Sequence, residues 1–115
     1  MKKSLLIFFI AGIAVLAAPG IASAQKKPAR VIVGTISEYE CGDNCYLTII
    51  DVKGKKHHAL CAAALCRPWN ENAEMPSRFK GRKVRATLGR GNRYDGAGDF
   101  VDRYPAFTSI RFVTR

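Results

Sequence analysis

The sequence predicts a small all-β domain with a short helical insert, in which five short strands close into one barrel. β-branched and alternating segments recur between clusters of Gly, Asn and Asp, the pattern of consecutive strands joined by tight turns. A stretch with helix propensity, Ala62–Leu65, follows the third of these segments. Because so short a chain cannot fill two packed sheets, closing one sheet is the way to remove exposed strand edges.

The predicted elements follow from residue type and alternation. In chain order they are a strand over Val31–Tyr39 with a bend or bulge at Gly34, strands over Cys45–Asp51 and Lys56–Cys61, a connector with one or two short helices over 62–79, a strand over Arg82–Leu88, and a last strand that begins at Tyr104 or Ala106 and ends at Val113. In the last strand, strict alternation puts Phe107 and Arg111 on one face and Ile110 on the other. Residues 89–103 contain four glycines and are predicted to form a long loop.

The N-terminus has the layout of a bacterial secretory signal peptide. It starts with the two basic residues Lys2 and Lys3, Leu5–Ala18 is apolar, and Ala22–Ala24 is a small-residue cleavage site. A membrane anchor is the alternative, but an apolar run of about 14 residues is shorter than the roughly 20 that span a bilayer. We predict a signal peptide over 1–24, a short basic tail over 25–30 and the barrel domain over 31–115, exported to the periplasm or the extracellular space, with no transmembrane segment in the mature chain.

All four cysteines lie in one stretch, as the pairs Cys41/Cys45 and Cys61/Cys66. An even number of cysteines in a small exported domain predicts a disulfide framework, and four cysteines allow three connectivities. We favour Cys41–Cys45 with Cys61–Cys66, because a turn centred on Asp43 places Cys41 opposite Cys45. A crossed pairing would close a longer loop and stabilise more through chain entropy, so the connectivity stays open.

The next hairpin decides how close the two pairs come. If it is centred on Gly54, Leu47 lies opposite Cys61 and all four sulfurs meet at one end of the barrel. The cysteine spacing is also not far from that of a four-cysteine zinc site, which is the alternative to disulfides.

The charge balance points to anionic partners. Of the 19 basic residues, Lys2 and Lys3 are removed with the predicted signal peptide, which leaves 17 against 9 acidic residues and a net charge of +8. Nucleic acid, acidic polysaccharide and an anionic lipid surface are the partners that such a charge favours. Solubility and electrostatic adhesion to an anionic cell envelope explain the same charge, so composition does not choose between them.

In topology the chain resembles an OB-fold. The resemblance covers residues 31–113 and rests on Gly34 inside the first strand, the Asp51–Gly54 hairpin, the helical insert, and the Phe79–Val84 start of the fourth strand. More closely, the chain resembles small exported bacterial OB-like proteins of unassigned function. The resemblance implies a five-stranded Greek-key barrel, with ligands on strands two and three and on the loops Gly42–Asn44 and Gly89–Arg103. Such a fold does not itself assign a function.

A basic stretch without acidic residues, residues 78–93, is the candidate binding surface. Charged and aromatic side chains of strand four and the loop after it, with one tyrosine of strand two, are predicted to contact the ligand: Lys83, Arg85, Arg90, Arg93, Tyr94 and Tyr46. The alternative is that Lys83 and Arg85 are the solvated face of a strand and that Tyr94 only anchors the loop. His57 and His58 point to opposite faces of their strand and are interpreted as ordinary strand residues.

These observations together predict an exported, non-enzymatic binding module for an anionic or extended ligand. A structural or stress-related cell-envelope protein that binds another protein is the alternative, and a secreted nuclease-like enzyme or a zinc-binding protein is a third. We predict no catalytic residue, because no nucleophile or acid–base constellation is recognisable. We also predict no metal site or cofactor, because cysteines behind a signal peptide favour disulfides over zinc. Affinity that falls steeply with salt would favour the first function over the second.

Overall fold

The computed structural model describes residues 30–114; the predicted signal peptide over 1–24 and residues 25–29 of the predicted tail lie outside the described residues. The chain forms five strands, β1 (Arg30–Cys41), β2 (Cys45–Asp51), β3 (Lys56–Cys61), β4 (Lys83–Tyr94) and β5 (Phe100–Phe112). Between β3 and β4 lie the helix α1 (Arg67–Asn72) and two 3-10 helices, Ala64–Cys66 and Ser77–Phe79. Arg30, the last residue of the predicted tail, is the first residue of β1, so the predicted end of the tail is wrong by one residue.

The strands close into one barrel in the order β1-β2-β3-β5-β4, with β4 pairing back to β1. The β3–β5 pair is parallel and has only two register pairs, Leu60–Ala106 and Cys61–Phe107, whereas the other four strand pairs are antiparallel. The predicted five-stranded barrel with a helical insert after the third strand is therefore confirmed. Its strand order is compatible with an OB-like fold.

A bulge interrupts β1, but not at the predicted glycine. The extra residue is Ser37, because Ile36 and Glu38 pair with consecutive residues of β2. Gly34 instead allows a close approach of two strands, since a Cβ at this position would overlap the carbonyl oxygen of Ile50. The predicted bend or bulge at Gly34 is therefore wrong, and the glycine is needed for close strand approach instead.

A second bulge lies in β5, where Thr108 is the extra residue between the pairs Leu88–Phe107 and Thr87–Ser109. The bulge exchanges the two faces of the strand. Phe107 is fully buried in the core, whereas Arg111 is exposed on the outside of the barrel. The predicted strict alternation, with these two residues on one face, is therefore wrong.

The predicted long loop over residues 89–103 is also wrong, because only residues 95–99 separate β4 from β5. We call the outer part of this hairpin, residues 89–105, the arm. A Cβ at Gly91 would lie 3.1 Å from the Cβ of Ala106 and 3.3 Å from Cδ1 of Leu60. This glycine therefore lets the arm lie close to β3, a packing role that composition cannot distinguish from a flexible loop.

The helical connector closes one end of an apolar core. The largest fully buried side chains are Phe107, Ile36, Leu47, Ile49, Val84 and Cys66. Trp69 of α1 is buried and packs against the edge of Tyr39 and against Phe79, with ring centroids 5.9 and 5.1 Å away. Asn70 Nδ2 donates to the carbonyl of Cys61 at 2.9 Å, and Asn70 Oδ1 accepts from the Tyr39 hydroxyl at 2.7 Å. These contacts fix α1 to β1 and β3.

The two disulfides are Cys41–Cys45 and Cys61–Cys66, the pairing that the sequence favours. Cys41 lies directly opposite Cys45 in the β1–β2 register, with a Cα–Cα distance of 4.0 Å. The second disulfide is deeply buried and ties the end of β3 to the connector. Both disulfides therefore hold the end of the barrel that α1 covers.

The β2–β3 hairpin has a different register from the one predicted. The backbone N–H of Asp51 donates to the carbonyl of Lys55 at 2.9 Å, which leaves Val52–Gly54 as a three-residue loop. Leu47 lies opposite Ala59 instead of Cys61. Gly54 has φ of +87° and is the last loop residue, not the centre of the turn. A three-residue hairpin loop commonly ends in such a left-handed glycine, which accounts for the difference.

Candidate functional site

Three exposed cations lie side by side on the outer face of β4 and β5. Lys83 and Arg85 alternate along β4 with the buried Val84 and Ala86, so both charged side chains point outward. Arg111 of β5 lies directly opposite Arg85 in the antiparallel register. We call Lys83, Arg85 and Arg111 the basic wall.

Within residues 30–114, no ion pair or side-chain hydrogen bond neutralises the basic wall. On its β1 side, Arg85 lies opposite Val33 and Lys83 lies opposite Thr35, so neither neighbour is acidic. Like charges directly opposite each other on adjacent strands repel. The Arg85–Arg111 pair therefore destabilises the free protein slightly, and a bound anion would relieve that repulsion.

In the arm, the side chain of Arg93 contacts an acidic side chain and two tyrosines of the same chain. Arg93 Nε and Nη2 donate to the two carboxylate oxygens of Asp102 at 2.8 and 2.7 Å. The Arg93 guanidinium lies over the Tyr104 ring, 4.1 Å from its centroid, and Nη1 donates to the Tyr46 hydroxyl at 3.4 Å. The hydrogen bond between Arg93 and Asp102 raises the pKa of the guanidinium and lowers the pKa of the carboxyl group. Arg93 therefore holds the arm against β2.

The tip of the arm contacts the β1–β2 turn. Asn44 Nδ2 donates to the carbonyl of Tyr94 at 2.8 Å, and Asn44 Oδ1 accepts from the Tyr94 backbone N–H at 3.0 Å. Within the arm, Arg103 Nη1 donates to Asn92 Oδ1 at 2.9 Å. The β1–β2 turn and the arm, where the OB-like resemblance implies ligand contacts, are therefore joined to each other by hydrogen bonds.

Tyr46, the predicted aromatic contact on β2, packs among other aromatic rings of the chain. Its ring stacks on His58 with a centroid distance of 4.9 Å and an interplanar angle of 14°. The edge of Tyr104 lies 5.9 Å away. His58 Nδ1 is in turn hydrogen-bonded to the Thr48 hydroxyl at 3.1 Å. A ligand ring could use this surface only by stacking beside these groups or displacing one of them.

The predicted ligand residues fall into two groups. Lys83 and Arg85 belong to the basic wall, whereas Tyr46, Arg93 and Tyr94 line one shallow cavity at the arm, and Arg90 lies between the groups. At about 3.3 Å per residue, Arg85 and Arg93 are separated by roughly 26 Å along β4. Arg111 is not among the predicted ligand residues, because the bulge at Thr108 reverses the alternation that the sequence predicts for β5. In the sequence, Arg111 is only a charged residue between Ile110 and Phe112. The β4–β5 register is needed to show that it faces Arg85.

At the end of the barrel away from α1, Asp51 fixes the β2–β3 turn. Its Oδ1 accepts the backbone N–H groups of Lys53 and Lys55 at 2.8 and 2.9 Å. Its Oδ2 lies 2.9 Å from Nε2 of the buried His57. The hydrogen bond with His57, followed by that with Lys55, lowers the pKa of Asp51 to about 2. The pair of Asp51 and His57 has no signal in the sequence, because only the hairpin register brings the two residues together.

The cysteines are bonded in pairs, so none is a thiolate that could bind zinc. Among residues 30–114, no three His, Cys, Asp or Glu side chains converge in a way that could hold a metal ion. In the same part of the chain, no helix has the length and apolar character needed to cross a bilayer.

Comparison with known proteins found no family model, curated protein or solved structure that matches this chain. The two disulfides themselves indicate a non-reducing compartment, because thiols are kept reduced in the cytosol.

Proposed function

We propose that the protein is an exported, non-enzymatic binding module that holds an anionic ligand against the basic wall. The observation that carries the proposal is the cross-strand pair of Arg85 and Arg111, next to Lys83 and without an acidic partner among the described residues. A charge arrangement that costs stability in the free protein is explained if the ligand supplies the missing negative charge.

Export is supported by two independent features. The disulfides indicate a non-reducing compartment, and the N-terminal sequence has the layout of a secretory signal peptide. The resemblance to small exported OB-like proteins agrees with this location. Lys83, Arg85 and Arg111 would supply the charged contacts.

The test measures binding of the mature chain to three anionic probes. These are a single-stranded oligonucleotide, an acidic polysaccharide and vesicles that contain phosphatidylglycerol. Three ionic contacts predict an affinity that falls about tenfold or more when salt rises from about 50 to about 200 mM. Lys83→Glu combined with Arg85→Glu should lower the affinity for the ligand class by at least about tenfold.

The matched control is Arg90→Glu combined with Arg103→Glu, which changes the net charge by the same amount on the arm. It should lower the affinity by less than about threefold if the basic wall is the site. Equal losses in the two variants would mean that only net charge matters, and the proposal would be wrong. It also fails if the wall variant binds all three probes as the unchanged protein does.

A second candidate function, capture of another protein, is favoured by one specific observation. The arm exposes Tyr94, Phe100 and Val101, large apolar side chains that gather around its tip. Exposed apolar groups of this kind mark protein interaction sites in many proteins. This function predicts partner capture that resists high salt and is lost in Phe100→Ser but kept in the basic-wall variant. Salt-sensitive capture would exclude it.

A further inference from the structure

Three valines form an apolar edge next to the basic wall. Val31 is 52 % exposed, and Val52, at the start of the β2–β3 loop, is 77 % exposed. Val33 lies between them as part of the same shallow cavity, about 500 Å³ in volume, which opens at the end of the barrel away from α1. We call Val31, Val33 and Val52 the valine edge. Neighbouring apolar side chains left in water at one place favour an interaction surface over ordinary surface composition.

Cations surround the valine edge. Arg30, Lys53 and Lys55 line the same cavity and are exposed. The cavity contains one carboxylate, Asp51, which is already bound to His57 and to two backbone N–H groups of the turn. The charge that the cavity presents to solvent is therefore positive.

The valine edge and the basic wall form one surface. Val33 lies directly opposite Arg85 in the β1–β4 register, and Val31 lies opposite Thr87. The cations along this surface are Arg30, Lys53, Lys55, Lys83, Arg85 and Arg111. Apolar side chains flanked by cations are the chemistry of a surface that docks on an anionic membrane.

We propose that the anionic ligand is the surface of a phospholipid bilayer rich in anionic headgroups. The six cations contact lipid phosphates, and Val52 and Val31 enter the boundary between headgroups and acyl chains. This inference rests on the proposed function, because it names the class of ligand that the basic wall takes. A soluble polyanion would use the cations but would leave the valine edge in water, whereas a bilayer uses both.

The test is co-sedimentation of the mature chain with vesicles of phosphatidylglycerol and phosphatidylcholine, and with vesicles of phosphatidylcholine alone. Binding should require phosphatidylglycerol. Val31→Ser combined with Val52→Ser should weaken it about fivefold or more, through loss of buried apolar area. Lys53→Gln combined with Lys55→Gln should weaken it about tenfold.

Val101→Ser is the matched control, because Val101 is as exposed as Val31 but lies on the arm. It should leave vesicle binding unchanged. A single-stranded oligonucleotide is the second probe, and its binding should not respond to the two valine substitutions.

The inference is overturned if the valine variant binds phosphatidylglycerol vesicles as tightly as the unchanged protein, or if only the oligonucleotide is bound. In either case the proposed function survives, provided that Lys83→Glu with Arg85→Glu still loses the bound probe. If that wall variant affects no probe, the proposed function itself fails.

Discussion

The basic wall and the arm belong to the same β4–β5 hairpin and both contain arginines, but the neighbours of those arginines differ. In the arm, Arg93 makes two hydrogen bonds to Asp102 and lies over Tyr104. In the basic wall, Arg85 faces Arg111. A cation with a carboxylate and a ring around it positions a strand, whereas a cation facing another cation is available to a ligand.

This contrast separates two uses of charge that look alike in the sequence. The arm needs its arginines because none of its residues is fully buried. The wall lies on a strand that is already held by the core through Val84 and Ala86, so its outer side chains are not required for packing. Substitutions should therefore affect stability in the arm and binding in the wall.

The largest effect on stability is expected from Gly91→Val in the arm. The new side chain would meet Ala106 and Leu60, where even a Cβ lies 3.1 and 3.3 Å from the nearest atoms. Overpacking of this kind costs about 1–3 kcal/mol, measured by chemical denaturation. Gly42→Val is the control, because a Cβ at Gly42 has no atom within 4 Å. If the two variants unfold alike, the arm does not pack against β3 as described.

An intermediate effect is expected from pH at Asp102. Its folded-state pKa is lowered by the hydrogen bond from Arg93, so its contribution to stability is present above the unfolded-state pKa of about 3.9 and is lost as pH falls through the folded-state value. The unchanged protein should be more stable than Asp102→Asn at pH 7, and the difference should shrink below about pH 4. A difference that is constant down to pH 2 would contradict this assignment.

The smallest effect is expected in the basic wall. Arg85→Glu replaces a repulsive cross-strand pair by an attractive one with Arg111 and should stabilise the fold by about 0.2–1 kcal/mol. Arg85→Glu combined with Arg111→Glu should remove the gain, because the pair is again like-charged. Thermal unfolding at low salt measures both. A loss of stability in the single variant would mean that Arg85 has a structural partner.

Local sequence patterns predicted most of the strands and the position of the helical insert. β2 and β3 have the predicted limits, because each is a β-branched run bounded by turn residues. The Cys41–Cys45 pairing followed from a three-residue turn, which fixes the register over a few residues. The arm was not predictable in this way, because the sequence does not distinguish a glycine that permits close packing from a glycine that forms a loop.

By itself, the sequence determined the number of strands, the place of the helical insert, the favoured disulfides and the positive charge. These depend on short-range geometry, in which each residue is compared with neighbours a few positions away. Only the tertiary structure decided which cations meet. The extra residue Thr108 in β5 turns Arg111 outward, where it faces Arg85. Pairing of β4 with β5 places Asp102 opposite Arg93. Contacts across a barrel depend on the strand register. Bulges and core packing set that register together, so it cannot be inferred from the residues of one strand.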